Sequence, residues 1–464
     1  MVRLFRVFVP TSVVALLISE AILIFSCYIL ASFFLLDSDP TVFLLYEGGL
    51  SRIALVVGCE MLGIYFHDLY TKFRISSRVL LVQQLCLVVG IAFLTQALLS
   101  YLKHPEWILP KWMMIFGSGL VLVFLPAWRI FYGGVVLKAL GSERLLFLGS
   151  SPVVQEISDY LAEHPELGLS PAGYLDECEN SGKSIPSMPR VGCIHDLPRV
   201  VSEQRPDRIV VGMAERRGRL PVNELLDLRF SGIRIEDVHS TYEATFGRVS
   251  VRGLRPSQLI FSTELGPRPN RVMWQSIYSF VIALAATIVT APVMLMVAML
   301  VRLSSTGPVL YRQKRIGRNG AIFTLFKFRS MYANAEADTG PVWARKDDPR
   351  VTPVGRFLRR LRLDELPQLL NVVRGEMSIV GPRPERPEFV RALTEQIPYY
   401  RQRHCVKPGI TGWAQINHKY GDTIEDTIRK LEFDLFYIKN LAPSLDAYII
   451  FHTLKVMLLT RGAQ

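Results

Sequence analysis

Ser279 to Val301 reads SFVIALAATIVTAPVMLMVAMLV, an uncharged run interrupted only at Pro292. In a spanning helix such a proline kinks the axis and frees backbone groups that neighbours must satisfy. The alternative is a helix that enters the bilayer and turns back. The choice decides the architecture, because Arg302, Arg312, Lys314 and Arg315 follow at once. A direct crossing would carry them to the outer side, against the tendency of positive residues to stay in the cytoplasm. A re-entrant helix near 279–301 is therefore the expectation, with a fifth span as the alternative.

Upstream lie four apolar stretches near Pro10–Leu36, Arg52–Phe66, Val79–Leu102 and Trp112–Val135. Each approaches the roughly 20 residues that cross a bilayer. Arg3 and Arg6 precede the first stretch, Asp37, Asp39 and Glu47 occupy the first connection, and Lys72, Arg74 and Arg78 the second. This alternation puts the N-terminus in the cytoplasm and returns the chain there near Lys138. The first stretch is too long, and too closely followed by others, for a cleaved signal peptide. Half of the 464 residues are apolar, more than an ordinary soluble enzyme carries. Glu20 and Glu60 fall within apolar runs and read as protonated or hydrogen-bonded packing residues, and Asp37-Ser38-Asp39 as a solvated loop.

Residues from about 144 to 262 have a soluble character. LLFLGSS (Leu145–Ser151) reads as a buried strand and glycine turn before a helix near Val153–His164. RIVVGM (Arg208–Met213) and GIRIEDV (Gly232–Val238) read as further strands, with a helix around Pro221–Arg229 between them. Alternating strands and helices point to a parallel, Rossmann-like sheet. Its turn lacks the full GxGxxG pattern, so a dinucleotide ligand has weak support. The Pro/Ser/Gly-rich Glu179–Pro198 reads as a loop.

In the C-terminal part, Arg359–Glu385 sets two adjacent carboxylates, Asp364 and Glu365, among arginines. A carboxylate can attack phosphorus and hold it as a mixed anhydride while a neighbouring acid holds a divalent cation. Pro367 is tolerated only in a first turn, so Glu365–Val373 reads as a helix capped by Asp364, with Gly375 as its stop. From Arg302 to Lys407 there are 21 Lys and Arg against 10 Asp and Glu, a net +11 out of +12 for the chain. Such a basic face beside an embedded helix suits phosphate and lipid headgroups; no nucleic-acid motif accompanies it.

From Arg271 onward the chain resembles the bacterial sugar transferases, the monotopic phosphoglycosyl transferases acting on polyprenyl phosphate. The resemblance rests on YRQKRIGRNG (311–320), FKFRSM (326–331), VGRFLRRLRLDELPQLLNV (354–372), SIVGPRPE (378–385) and KPGITGWAQIN (407–417). It implies that Asp364 is the nucleophile and that Glu365 supports a bound Mg2+. It implies a phosphate-holding role for Arg359 and a nucleotide-associated one for Pro382, Arg383 and Pro384. Lys327 and Arg329, expected on one side of a strand, become candidate substrate contacts. The implied reaction moves a sugar-1-phosphate from a nucleoside diphosphate sugar, a UDP-hexose by family expectation, to undecaprenyl phosphate, initiating exopolysaccharide or surface glycan synthesis. The setting is the bacterial inner membrane with the catalytic part on its cytoplasmic face. Homologues in exopolysaccharide loci include some linked to exosortase systems. A homodimer through the soluble block is a further expectation.

The expected architecture is thus a membrane helical bundle (1–138), a Rossmann-like α/β domain (139–265) and a small α/β catalytic domain with a re-entrant helix (266–464). A conventional glycosyltransferase releasing nucleoside diphosphate, or a non-catalytic assembly or regulatory protein, are the competing readings. Trp413 is read evenly as a packing anchor or a site residue. The helix expected at Ile424–Ile438 is amphipathic, and Pro443–Thr460 is expected on the membrane surface. The six cysteines show no CxxC and indicate neither a disulfide framework nor a zinc site.

Overall fold

The computed structural model describes residues 2–36, 39–70, 78–102, 104–137, 141–178, 185–213, 219–251, 266–332, 335, 348–418, 421 and 423–458. Asp37, Ser38, Lys72, Arg74, Lys138 and the start of the Glu179–Pro198 loop lie outside them. Contacts divide the chain into two units: Met1–Val2 with Val9–Glu236, and Arg3–Phe8 with Asp237–Gln464. A short hairpin, β1 (Val2–Leu4) and β2 (Val7–Val9), opens the chain.

In the first unit the four apolar stretches form helices Thr11–Leu35, Gly49–Phe66, Arg78–Tyr101 and Lys111–Phe131. Five helices of the described chain, these four and Pro269–Ser304, are long and apolar enough to cross a membrane. Asp39 accepts a hydrogen bond from Thr41 N at 2.9 Å and so starts the short helix Pro40–Leu45. Both acids within these apolar helices are engaged. Arg129 grips Glu20 with two hydrogen bonds, 2.5 and 2.9 Å, and Tyr70 donates to it at 2.7 Å. Tyr28 donates to Glu60 at 2.7 Å and lies 2.9 Å from Ser118. The Tyr28 ring occupies the volume that a Cβ on Gly117 would need.

The same unit contains the parallel sheet. β3 (Glu143–Leu148), β4 (Leu169–Asp176), β5 (Arg190–Cys193), β6 (Arg208–Val211) and β7 (Arg234–Asp237) lie in the order β5-β4-β3-β6-β7. β3 runs parallel to both β4 and β6. The order reverses between β3 and β6, as in doubly wound folds. Helices Pro152–Glu163, Leu197–Gln204 and Val222–Phe230 accompany the strands. Two sequence expectations are corrected here. The end of the Glu179–Pro198 loop is strand β5 followed by the start of a helix, because pairing with β4 supplies partners that local composition does not show. Cys178 and Cys193 form a disulfide, their Cα atoms 5.3 Å apart, because the β4–β5 pairing brings together two positions 15 residues apart.

Besides the hairpin residues Arg3–Phe8, the second unit contains helix Val238–Phe246 and the long helix Pro269–Ser304. The latter continues through Pro292, where the interruption was expected. Thr287 and Thr290 donate their hydroxyls to the carbonyls of Ala283 and Ala286 in the turns before it. β8 (Leu310–Ile316) and β9 (Ile322–Phe328) form an antiparallel ribbon. Helices Pro353–Arg360 and Gln368–Val373 follow; then β10 (Ser378–Val380) pairs in parallel with β11 (Gly409–Thr411). Helices Ile424–Asn440 and Pro443–Leu458 bury Leu435, Phe436, Leu445 and Ile449 in one core. The final helix therefore gives one face to the protein interior. Trp413 is likewise an anchor: it stacks on Phe436 and donates Nε1–H to Gly247 O at 2.7 Å.

Candidate active site

The carboxylate pair sits on a turn rather than at the start of a helix. Thr352 caps helix Pro353–Arg360 by accepting from Gly355 N at 2.9 Å. The chain then reverses through Arg362, whose φ is +55°, into a single 3-10 turn, Leu363–Glu365. The next helix begins only at Gln368, so Asp364 is not its cap, although Gly375, at φ +77°, does follow its end as expected. The register is fixed by apolar anchors on either side: Leu363 and Leu366 pack with Val297, Val301 and Phe328, tying the turn to the long helix and to β9. Asn371 accepts from Phe326 N at 3.1 Å and donates to Thr324 O at 2.7 Å, pinning the next helix to the same strand.

The two acids are treated differently. Glu365 Oε1 accepts from Lys327 Nζ and Arg383 Nη2, each at 2.9 Å, and Arg362 lies 3.7 Å from Oε2. Burial alone would raise Glu365, but Lys327, Arg383 and Arg362 hold it well below the usual carboxylate range. Asp364 is buried and, among the described residues, accepts no hydrogen bond and makes no ion pair. Burial pushes it above the ordinary aspartate value; Lys327, Arg359 and Arg383 oppose the shift and the charge of Glu365 adds to it. One carboxylate is thus clamped and ionised, and the other, among the described residues, has no hydrogen bond or ion pair inside a ring of cations.

The remaining expected residues divide by position. Arg359 donates Nε–H to Ser330 Oγ at 2.9 Å, which fixes its guanidinium within electrostatic range of Asp364. Arg329 lies one residue beyond the end of β9 and turns to the end of the long helix, donating to Val301 O at 3.3 Å and Ser305 O at 2.7 Å. It is buried, and its Nε and Nη1 have no partner among the described residues. Pro382, Arg383 and Pro384 form a loop whose three carbonyls are all occupied, by Gly409 N at 3.0 Å, Arg403 Nη2 at 3.1 Å and Arg315 Nη1 at 2.9 Å. Beside it opens a small cavity lined by Gly317, Pro382, Pro384, His404 and Pro408. Burial, with the nearby Arg403 charge, lowers His404 to about 4, so it is neutral there.

Three supports were not singled out in the sequence. Arg403 holds the Arg383 carbonyl and is itself held by Asp434 Oδ2, 2.8 Å away, and by Tyr400 OH at 2.8 Å. Arg315 braces Pro384. Gly381 and Gly409 lie back to back: a Cβ on Gly409 would fall 2.1 Å from Gly381 N, and one on Gly412 2.2 Å from Gly381 O. The available signal was Glu432 and Asp434 inside the otherwise apolar stretch LEFDLFYI, since charged residues inside an apolar run need partners.

Among the described residues no three or more His, Cys, Asp or Glu gather as a metal cluster. Magnesium does not need one, because it is commonly held by one or two carboxylates together with phosphate oxygens and water. Among the described residues Asp364 has no partner and Glu365 Oε2 accepts no hydrogen bond, so the pair fits an ion that shares its coordination with a bound phosphate.

The Bacterial sugar transferase family profile matches residues 270–460, and a CoA-binding domain profile matches 60–220. A UDP-glucose:undecaprenyl-phosphate glucose-1-phosphate transferase of Klebsiella pneumoniae is 33% identical over 347 residues, 74% of this chain and 73% of that protein. The chain belongs to the bacterial sugar transferase family. Exopolysaccharide production protein PSS of Rhizobium leguminosarum bv. phaseoli is 43% identical over 186 residues, covering 39% of this chain and 92% of that relative. A UDP-N-acetylgalactosamine-undecaprenyl-phosphate N-acetylgalactosaminephosphotransferase of Aeromonas hydrophila is 40% identical over 232 residues, half of this chain and 54% of that protein. The match spans 65% of a Xanthomonas campestris pv. campestris relative named as a UDP-glucose:undecaprenyl-phosphate glucose-1-phosphate transferase. All the expected site residues lie within the matched C-terminal region.

Proposed function

We propose that this transferase moves a sugar-1-phosphate from a UDP-sugar to undecaprenyl phosphate, with Asp364 as nucleophile. The observation that carries the reading is the asymmetry of the pair: Glu365 is immobilised by Lys327 and Arg383, while Asp364 is buried beside them and, among the described residues, has no bond to break before it attacks. An Asp364 carboxylate oxygen forms a bond to the β-phosphorus and the bond from that phosphorus to the bridging oxygen breaks, its electron pair leaving with the nucleoside monophosphate. The phosphate oxygen of the lipid acceptor then attacks the same phosphorus, the aspartyl bond breaks, and the product is a polyprenyl-diphosphate-sugar.

Lys327, Arg359 and Arg383 supply fixed positive charge where the phosphoryl oxygens would develop theirs. Arg329, whose Nε and Nη1 have no partner among the described residues, is the proposed further phosphate contact. Mg2+ on Glu365, shared with the diphosphate, would supply charge neutralisation. A phosphorylated lipid acceptor and a water-soluble donor meet most readily if the site lies at the cytoplasmic face of the inner membrane. The basic excess around the site supports that placement, and it supports a re-entrant course for Pro269–Ser304. A homodimer through the Rossmann-like block belongs to this reading, and light scattering in detergent tests it. Exopolysaccharide or surface glycan initiation is the proposed role, supported by the named relatives.

The test is incubation of the purified chain with Mg2+, undecaprenyl phosphate and a panel of labelled UDP-sugars. Nucleoside monophosphate release, lost in Asp364→Asn, is expected. Omitting the acceptor should leave a phosphosugar adduct on the peptide containing Asp364, seen by mass spectrometry. Nucleoside diphosphate release would instead mean ordinary glycosyl transfer.

A further inference from the structure

The hairpin of β1 and β2 turns through Phe5 and Arg6, both at positive φ, 50° and 68°. Two-residue turns of this kind favour Asn-Gly or Gly-Gly, and a phenylalanine or arginine held there is strained. Strain of this sort calls for an explanation in what the turn presents. Here it presents an apolar tip: Leu4 is 41% and Phe5 59% exposed, on a hairpin whose Val7 packs into the core of the second unit.

Arg3 and Arg6 flank this tip in the chain. Arg3 donates to the Asn440 side chain and Arg271 Nη1 donates to Leu441 O at 3.1 Å, so two guanidinium groups converge on the single turn between the last two long helices. Arg6 and Arg268 lie within electrostatic range of Arg271, as does Arg3. Arg268 also sits at the N-terminal end of the long apolar helix, where the helix dipole adds further positive potential. None of the four is paired with a carboxylate among the described residues. Four guanidinium groups repel one another, and an anion reverses the sign of that interaction. Met273 and Trp274 follow on the same helix, 55% and 59% exposed, and tryptophan at that level is characteristic of the boundary between headgroups and acyl chains.

We infer that Arg3, Arg6, Arg268 and Arg271 form a binding site for the phosphate groups of anionic phospholipids, with Leu4 and Phe5 inserted among the acyl chains. Guanidinium pairs with phosphate through two parallel hydrogen bonds, and an apolar residue beside it secures the contact to a bilayer rather than to a free anion. The site is open and spread over exposed elements, unlike the buried ring around Asp364, so it suits the bulk lipid of the membrane rather than the polyprenyl substrate. It stands whether or not the proposed reaction does.

The full chain in detergent, titrated with phosphatidylglycerol, phosphatidylcholine or undecaprenyl phosphate and read by native mass spectrometry, tests this. Wild type should retain phosphatidylglycerol over phosphatidylcholine, and affinity for it should fall about fivefold for each arginine changed to glutamine. Phe5→Ser, which alters no charge, should weaken retention as well. If Arg3→Gln/Arg6→Gln/Arg268→Gln/Arg271→Gln does not fold, Arg268→Gln and Phe5→Ser carry the comparison. Unchanged retention in the variants would overturn the site. Loss of undecaprenyl phosphate but not phosphatidylglycerol would overturn the assignment to bulk lipid, and displacement by millimolar inorganic phosphate would reduce it to a free-anion site.

Discussion

Replacing Arg403 by methionine removes one guanidinium and leaves three groups that depended on it. Asp434, with its side chain 2% exposed, loses the charge 2.8 Å away, Tyr400 loses its donor, and the Arg383 carbonyl loses the bond that sets the Pro-Arg-Pro loop. Breaking a buried ion pair by deleting one partner costs about 3–5 kcal/mol. For a unit of about 230 residues that is about 6–20 °C in Tm.

The defect has a pH signature. Burial lifts Asp434 to about 6 even with Arg403 opposing it, above the roughly 3.9 of an unfolded aspartate. The folded state then binds more protons, so this group's contribution to stability is full below about pH 4 and is lost as pH rises through 6. Without Arg403 the carboxyl rises further; Arg403→Met should therefore be most damaging near pH 7.5 and milder near pH 5. Adding Asp434→Asn should recover much of the loss. Since Arg383 reaches Glu365 from that loop, kcat/KM should also fall, by about 10²-fold if the guanidinium moves by about 1 Å. Thermal unfolding across pH and initial rates check both. A pH-independent loss below about 1 kcal/mol, or undiminished rates, would refute the strut.

Asp364→Asn should reduce turnover at least about 10³-fold without lowering Tm, since it removes a buried charge beside Glu365; nucleotide release and melting curves check this. In wild type, the acid limb of kcat/KM should lie above the ordinary aspartate range, because burial raises Asp364 and only its ionised form attacks. Glu20→Gln leaves Arg129 facing a neutral partner inside the helical bundle, and should cost about 3–5 kcal/mol with partial recovery in Glu20→Gln/Arg129→Met, read from unfolding in detergent. Cys178→Ser should cost the first unit about 3 kcal/mol for a loop of 15 residues, and dithiothreitol should bring wild type to the same Tm.

The long apolar helices and five elements of the parallel-sheet block, three strands and two helices, were readable because their apolar patterns are local. Asp364 and Glu365 were readable as chemistry but misplaced as structure: Pro367 permits a helix from Glu365, whereas Leu363 and Leu366 need the core beside the long helix and force a 3-10 turn first. Strict alternation put Arg329 beside Lys327; the strand ends at Phe328, and Arg329 leaves to meet the last carbonyls of the long helix. The Cys178–Cys193 bond exists only through the β4–β5 pairing, and the Glu20–Arg129 pair joins residues 109 positions apart. Such partners are properties of topology, and no local window holds both.

The three glycines at 381, 409 and 412 have a consequence for anyone seeking to mutate this region. Each occupies space that a methyl group on its neighbour would require, so their backbones behave as one solid block under the Pro-Arg-Pro loop. Mutagenesis libraries that diversify these positions would mostly sample misfolded protein.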